Sequence, residues 1–160
     1  MIERSLIIIK PDGVKRQLTG EILRRFERVG IKIIGMKMVH IDKVFAEKHY
    51  KAHEGKHFFG ILTDYLISSP VVVAVLEGVN AISNVRKIVG TTYPHEAPPG
   101  TVRGDFCHIS RVYADEKNIA VPNVIHASGS VKEAKEEIEL WFEKKDVHDY
   151  KVVNEEFMFS

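Results

Sequence analysis

An α/β fold with its elements in the order β-α-β-β-α-β is predicted by three features of this 160-residue chain. Two apolar runs, residues 5–10 and 70–76, place Ile and Val in consecutive positions and have the length of buried strands. Stretches with apolar residues at helical spacing follow each of them. Strands two and three are separated only by short helical segments that read as an insertion. Together these features specify a ferredoxin-like α/β sandwich. It would have a four-stranded antiparallel sheet, a helical insertion between strands 2 and 3, and a long Gly/Pro loop before strand 4.

The first strand, Ser5-Leu-Ile-Ile-Ile-Lys10, stops at a Pro11-Asp12-Gly13 turn, which sets Lys10 over the carboxyl edge of the sheet. Ile22, Phe26 and Val29, with Leu23 widening the face, predict a helix that Gly30 ends. Residues 32–41 read as the second strand. Asp42 is placed to cap a short helix through Val44, Phe45 and Tyr50, and a second helix begins near Phe58. The third strand is expected to turn at Glu77-Gly78 into a helix marked by Ile82, Val85 and Val89. Residues 90–105, rich in Gly and Pro, are expected as a loop whose length points to function. Residues 111–122 are expected as a small hairpin around 115–118. Val124 and Ile125 form the end of the last strand. Ser130-Val-Lys-Glu133 then fits a capping box before a helix with Ala134, Ile138 and Trp141 on its apolar side. In the tail, Val152, Val153, Phe157 and Phe159 read as packing groups for another subunit.

Composition narrows the functional class. Apolar residues make up 44% and charged residues 28%, as in an ordinary globular protein of one domain, residues 1–160. With 23 basic against 22 acidic side chains, the net charge of +1 gives no electrostatic case for nucleic acid or a membrane surface. The single cysteine, Cys107, excludes an intrachain disulfide and suits a reducing compartment. No apolar run has the length of a membrane span, and the first residues lack the pattern of a signal peptide. A cytoplasmic enzyme or binding protein is expected.

Common phosphate-loop, dinucleotide, zinc-protease and hydrolase motifs are absent, and one cysteine with scattered histidines does not reproduce zinc-ligand spacing. A more coherent set is Lys10 at a strand end, Arg86 in a helix, Thr92 and Arg103 in the loop, and Asn123 and His126 at the last strand. Two guanidiniums, an ammonium and a hydroxyl form a polyphosphate clamp, because arginine matches phosphate oxygens bidentately. A neutral imidazole at its centre would be a nucleophile. Spacing alone leaves the plainer reading open: Arg86 and Arg103 as surface ion-pair residues, His126 as a core histidine, Glu137 as a rim acid and Phe58 as core.

The segments Lys10-Pro-Asp-Gly13, Phe58-Phe59, Arg103-Gly-Asp-Phe106 and Asn123-Val-Ile-His126-Ala-Ser128 resemble those of the nucleoside diphosphate kinases, in that family's order and over nearly the whole chain. The resemblance implies ping-pong transfer of a γ-phosphoryl group from a nucleoside triphosphate such as ATP to a nucleoside diphosphate through a phosphohistidine. His126 would be the nucleophile through Nδ1. Arg86, Thr92 and Arg103 would hold the phosphates, with Tyr50 near the transferring group. Lys10 and Asn123 would meet the sugar 3′-hydroxyl, Lys10 also the phosphates. Phe58 would stack on the base with Leu62 nearby and, by offset, Ala120 opposite. Ser128 and Glu137 would orient the histidine. Mg²⁺ would be carried by the nucleotide phosphates, with no direct protein ligand. A homo-oligomer is implied, a hexamer before a tetramer, with all common bases accepted. The chain departs from the family pattern at Gly129, where an aspartate is usual, at Tyr93, where an asparagine is usual, and in the extra length of residues 111–122. A non-catalytic nucleotide-binding regulatory domain on the same sheet is the alternative reading, and a structural hub built on the tail a third.

Overall fold

The computed structural model describes residues 1–158, so Phe159 lies outside the described residues. Strand β1 (Ile2–Ile9) is followed by a short helix, α1 (Pro11–Lys15), where a simple turn was expected. Pro11 occupies a first-turn position, at which its missing N–H is one of the helix's unpaired donors in any case. Helix α2 (Thr19–Glu27) buries Ile22 and Phe26, and β2 (Lys32–Val39) returns along the sheet. Asp42 caps α3 (Lys43–His49) by accepting the Phe45 N–H at 2.8 Å, and a 3-10 turn leads to α4 (Phe59–Leu66). Then come β3 (Val71–Val79), α5 (Ala81–Val89), α6 (Val102–Phe106), α7 (Arg111–Lys117), β4 (Ile125–Ala127), α8 (Val131–Trp141) and α9 (Glu155–Met158).

The four strands form one antiparallel sheet in the order β2-β3-β1-β4, the ferredoxin-like arrangement expected. Its two central strands, β1 and β3, are covered on both faces, which is why their sequences are continuously apolar rather than alternating. Ile7 and Ile9 face a layer containing Phe26, Val85 and Val89, whereas Leu6 and Ile8 face one containing Tyr50, Leu66 and Trp141. Each such buried side chain contributes roughly 1.5–3 kcal/mol.

Four expectations are corrected. β3 does not turn at Glu77-Gly78: Glu77 bridges Arg4 (3.0 Å) and Lys32 (3.1 Å) across the neighbouring strands, and the turn waits for Asn80 at φ 49°. Residues 90–105 are not featureless, since a 3-10 turn spans Pro94–Glu96 and α6 is capped by Thr101, whose hydroxyl accepts the Gly104 N–H at 3.0 Å. Residues 111–117 are a helix, not a hairpin arm. Ser110 caps it, Arg111 and Asp115 pair one turn apart, and Asn118 closes it in the left-handed region, while Val112 and Tyr113 remain exposed. The capping box at Ser130 is half formed: Ser130 accepts the Glu133 N–H, but the Glu133 carboxylate reaches the Gly129 N–H (2.9 Å) instead of that of Ser130.

The tail returns to β2, with His148 N–H donating to the Ile34 carbonyl (2.7 Å) and Lys32 pairing with Glu155 (3.0 Å). Val153 and Phe157 are exposed, so within this chain they are not packing groups.

The Gly/Pro loop is folded back tightly enough that a Cβ on Gly104 would lie 2.1 Å from the Pro98 carbonyl oxygen, with no flexible atom able to yield. Gly104→Ala is expected to cost about 3 kcal/mol of unfolding free energy. Gly60→Ala, where nothing lies within 4 Å, is expected to be neutral or to gain up to about 1 kcal/mol. Urea unfolding of the two variants checks the contrast.

Candidate active site

The site is built outward from the junction of β1 and β4. His126 lies opposite Ile8 in the sheet ladder, and its Nε2 is 2.6 Å from Glu137 Oε1 on α8. Ser128 locks the same carboxylate: its hydroxyl donates to Glu137 Oε2 at 2.6 Å and accepts the Leu6 N–H at 3.0 Å, so β1, β4 and α8 share one side chain. An ionised carboxylate only accepts, which puts the imidazole proton on Nε2 and leaves the Nδ1 lone pair free. Burial, followed by Lys10, lowers the His126 pKa to about 3, so the ring is neutral at physiological pH. Burial pushes the Glu137 carboxyl upward, opposed by the Ser128 hydrogen bond and by His49.

Lys10 follows β1 directly and is 7% exposed. Its ammonium donates to Asn123 Oδ1 at 2.7 Å, and Asn123 in turn donates to the Thr92 carbonyl at 2.9 Å, tying the loop to the strand ends. Burial, reinforced by Arg103, brings Lys10 down to about 7. Arg103 is also buried, and its donors meet the carbonyls of Asn123, Gly90, Thr91 and Ile125. Arg103 therefore brings its charge to the site while stapling the loop to β4, so its removal would disturb the fold as well as the site. Arg86 has no hydrogen-bond partner among the described residues and is exposed to the cleft.

These groups line one cleft of about 450 Å³ that also contains Tyr50, Phe58, Leu62, Thr92 and Ala120. Every site residue expected from the sequence is on its wall except Ser128 and Glu137, which stand behind His126. One end is cationic and the other, around Phe58, Leu62 and Ala120, is apolar, a division suited to a phosphorylated aromatic ligand. Helix α7 gives the extra segment a place: Arg111 and Asp115 line the cleft, and Arg111 lies 5.9 Å from the Tyr93 ring, so two departures from the family pattern meet.

Sequence reasoning missed three contributors. Asp12 accepts the Val124 N–H at 3.1 Å and the Tyr65 hydroxyl, holding Val124 at φ 57°. A β-branched residue there is strained, and the strain lies two residues before His126. In the sequence Asp12 reads only as a turn residue. Glu133 was seen as a cap but also faces the cleft, and His49 at the end of α3 sits beside His126 with ring centroids 5.0 Å apart. Their side-chain spacing in the chain carries no signal of this convergence.

His49, like His126, is lowered by burial to about 3. Unfolded histidines titrate near 6.5, so in acid the unfolded chain binds protons that the folded one refuses. Stability is therefore expected to fall as pH drops from about 6.5 toward 3, by up to about 1.4 kcal/mol per pH unit for each ring. Urea unfolding between pH 7 and 5 should show a shallower slope for His49→Gln than for the unsubstituted chain.

A family model for nucleoside diphosphate kinase matches residues 3–147. The nucleoside diphosphate kinase of Pyrococcus furiosus is 50% identical over 149 residues, covering 93% of this chain and 88% of that protein. The enzyme of Staphylococcus epidermidis is 42% identical over 160 residues, with 99% and 100% covered. Among solved structures, a transition-state mimic of the Borrelia burgdorferi nucleoside-diphosphate kinase with bound vanadate and ADP superposes with a TM-score of 0.95 at 40% identity, covering 99% of this chain and 97% of that one. The halophilic enzyme of Halobacterium salinarum, in complex with CDP, gives 0.88 at 34%, with both chains fully covered. The chain belongs to the nucleoside diphosphate kinase family and is an enzyme of that kind.

Proposed function

We propose that the γ-phosphoryl group of a nucleoside triphosphate passes to His126 and from there to a nucleoside diphosphate, in two half-reactions at one cleft. The observation that carries this reading is the His126–Glu137–Ser128 arrangement, which holds a neutral imidazole with Nε2 engaged and Nδ1 free. In the first half-reaction the Nδ1 lone pair attacks the γ-phosphorus, and the bond to the bridging oxygen breaks. That electron pair leaves on the diphosphate, and the charge gathering on the ring is balanced by Glu137 through Nε2–H. In the second, a terminal oxygen of the acceptor diphosphate attacks the same phosphorus, the P–N bond breaks, and the ring regains its lone pair. Charge neutralisation and alignment are what such a transfer requires of a protein.

Arg86, Lys10, Thr92 and Arg103 hold the phosphates in this reading, with Asn123 and Lys10 at the sugar hydroxyl and Tyr50 at the transferring group. Phe58 stacks on the base, with Leu62 and Ala120 completing an apolar slot; stacking of this kind tolerates every common base. The cleft's cationic lining suits phosphate oxygens rather than a metal cage: among the described residues, its carboxylates are Asp115 and Glu133. Mg²⁺ would be carried on the phosphates and water, as hard oxygen ligands. When bound, it screens the negative charge of the β- and γ-oxygens. The exposed Met36 and Met38 of edge strand β2, with Phe157 in the tail, support burial in a homo-oligomer, a hexamer before a tetramer. The free cysteine supports a cytoplasmic setting, and no helix among the described residues is long and apolar enough to cross a membrane.

Incubation with γ-labelled ATP and Mg²⁺ is expected to place one phosphoryl group per subunit in a bond stable to base and labile to acid. His126→Ala should abolish both the label and ATP/GDP exchange; label surviving that change would sink the mechanism. Nucleotide binding with no exchange in the unsubstituted protein would favour a regulatory domain. A second expectation follows from Lys10, which is partly deprotonated above pH 7 in the free protein. An adjacent phosphate favours the ammonium, so diphosphate binding at pH 8 should take up a proton, approaching one per site, and none at pH 5.5. Calorimetry in two buffers of different ionisation enthalpy measures this directly.

A further inference from the structure

His49 makes contacts that the reaction above does not use. Trp141 Nε1–H donates to His49 Nδ1 at 3.2 Å, and the two rings are 5.5 Å apart. An indole N–H is only a donor, so Nδ1 must be an acceptor and the proton of the neutral ring belongs on Nε2. That Nε2 is buried and has no hydrogen-bond partner among the described residues. The ring stands at 88° to the ring of His126.

One ring nitrogen each of His49 and His126 and one carboxylate oxygen of Glu137 lie within 4.8 Å of one another, a grouping that resembles a metal-ligand set. The tautomer argues against that use. For Nε2 to bind a metal its proton would have to move to Nδ1, which faces the indole N–H. A buried, unpaired donor is costly, and its retention beside the nucleophile calls for a reason.

We infer that His49, held in its Nε2–H tautomer by Trp141, is a positioning residue that braces the His126 ring and keeps a neutral group beside the His126–Glu137 pair. The inference rests on the phosphohistidine reaction proposed above. Attack on phosphorus leaves positive charge on His126, which Glu137 balances. A cationic neighbour 5.0 Å away would oppose that charge and compete for Glu137. The hydrogen bond from Trp141 needs the Nδ1 lone pair, so it exists only while His49 is neutral. Burial lowers the pKa of His49 first, then His126; Glu137 opposes them, and Lys10 and His53 add to the lowering. Tyr50, the other ring against it, has a hydroxyl that burial pushes upward and therefore stays uncharged.

The test is the rate of phosphoenzyme formation from ATP at pH 8 and pH 4 in the unsubstituted protein, Trp141→Phe, and Trp141→Phe/His49→Phe. Trp141→Phe keeps an aromatic ring but frees the Nδ1 lone pair, which makes His49 easier to protonate. One hydrogen bond is worth about one pKa unit, so its rate is expected to fall about twofold more than that of the unsubstituted protein by pH 4, with kcat affected more than KM for ATP. The double variant, with nothing left to titrate at position 49, should lose that extra steepness. A Trp141→Phe loss that is equal at both pH values, or an acid loss that persists in the double variant, overturns the inference. Should the variants fail to fold, ¹⁵N spectra of the unsubstituted protein decide: a protonated Nδ1 on His49 refutes the brace. An unsubstituted protein that takes no label refutes the reaction itself, whereas a labelled one with the wrong His49 tautomer refutes only the brace.

Discussion

The hydrogen bond between His126 Nε2 and Glu137 is the interaction on which the rest of the site depends. It exists only if β4 and α8 meet in one register, and the register is fixed by Ser128, whose backbone N–H and hydroxyl both engage Leu6 of the central strand. A slip of one residue in β4 would turn His126 to the opposite face of the sheet. Asp12 opposes such a slip from the other end by holding the N–H of Val124. Both anchors act on the three residues of β4, too short a strand to specify its own pairing.

The same junction explains how a neutral imidazole survives among cations. Lys10 and Arg103 are buried within the wall of the cleft, which would be unfavourable for charges left unpaired. Each is matched to oxygen dipoles, Lys10 to the Asn123 amide and Arg103 to four backbone carbonyls. Partial negative charges solvate these groups without cancelling their net charge, so the positive field remains available for phosphate. That field also resists protonation of His126, which keeps its lone pair available. The cationic groups and His126 are therefore coupled through electrostatics as well as geometry.

The sequence made the sheet legible because β1 and β3 are buried on both faces and carry unbroken runs of Ile and Val, and because Ser130 caps α8 in a recognisable way. Motif resemblance also picked out residues that the fold brings to one cleft, His126 among them. Of the parts it misjudged, the turn at Glu77-Gly78 and the segment 111–117 are decided by partners far away in the chain or by local caps. Glu77 stays in β3 because Arg4 and Lys32 hold it. Val112 and Tyr113 could have packed in a strand arm, but Ser110 and Asn118 cap both ends of a helix, which leaves both side chains exposed. His49 and Asp12 were invisible for a related reason: each reads as ordinary helix-end or turn chemistry until the fold brings it to His126 or Val124.

Gly129 shows why position-by-position reading can mislead. Taken alone, it is the loss of an expected carboxylate at the start of α8. In the structure a Cβ at that position would lie 2.7 Å from Glu133 Oε2 and 3.8 Å from an Arg86 nitrogen. The space next to Arg86 is thus already occupied by a carboxylate, one that comes from a residue one turn further along the chain. Glu133 accepts the Gly129 N–H, a bond that ties the helix start down as a cap would, and its charge favours the protonated form of His126, against the pull of Lys10, Arg103 and Arg86. An aspartate at 129 would force two carboxylates into one space, a repulsive arrangement unless one were protonated. The glycine therefore leaves this space to Glu133: the negative charge at the helix start is kept, but it reaches the site from the next turn of α8.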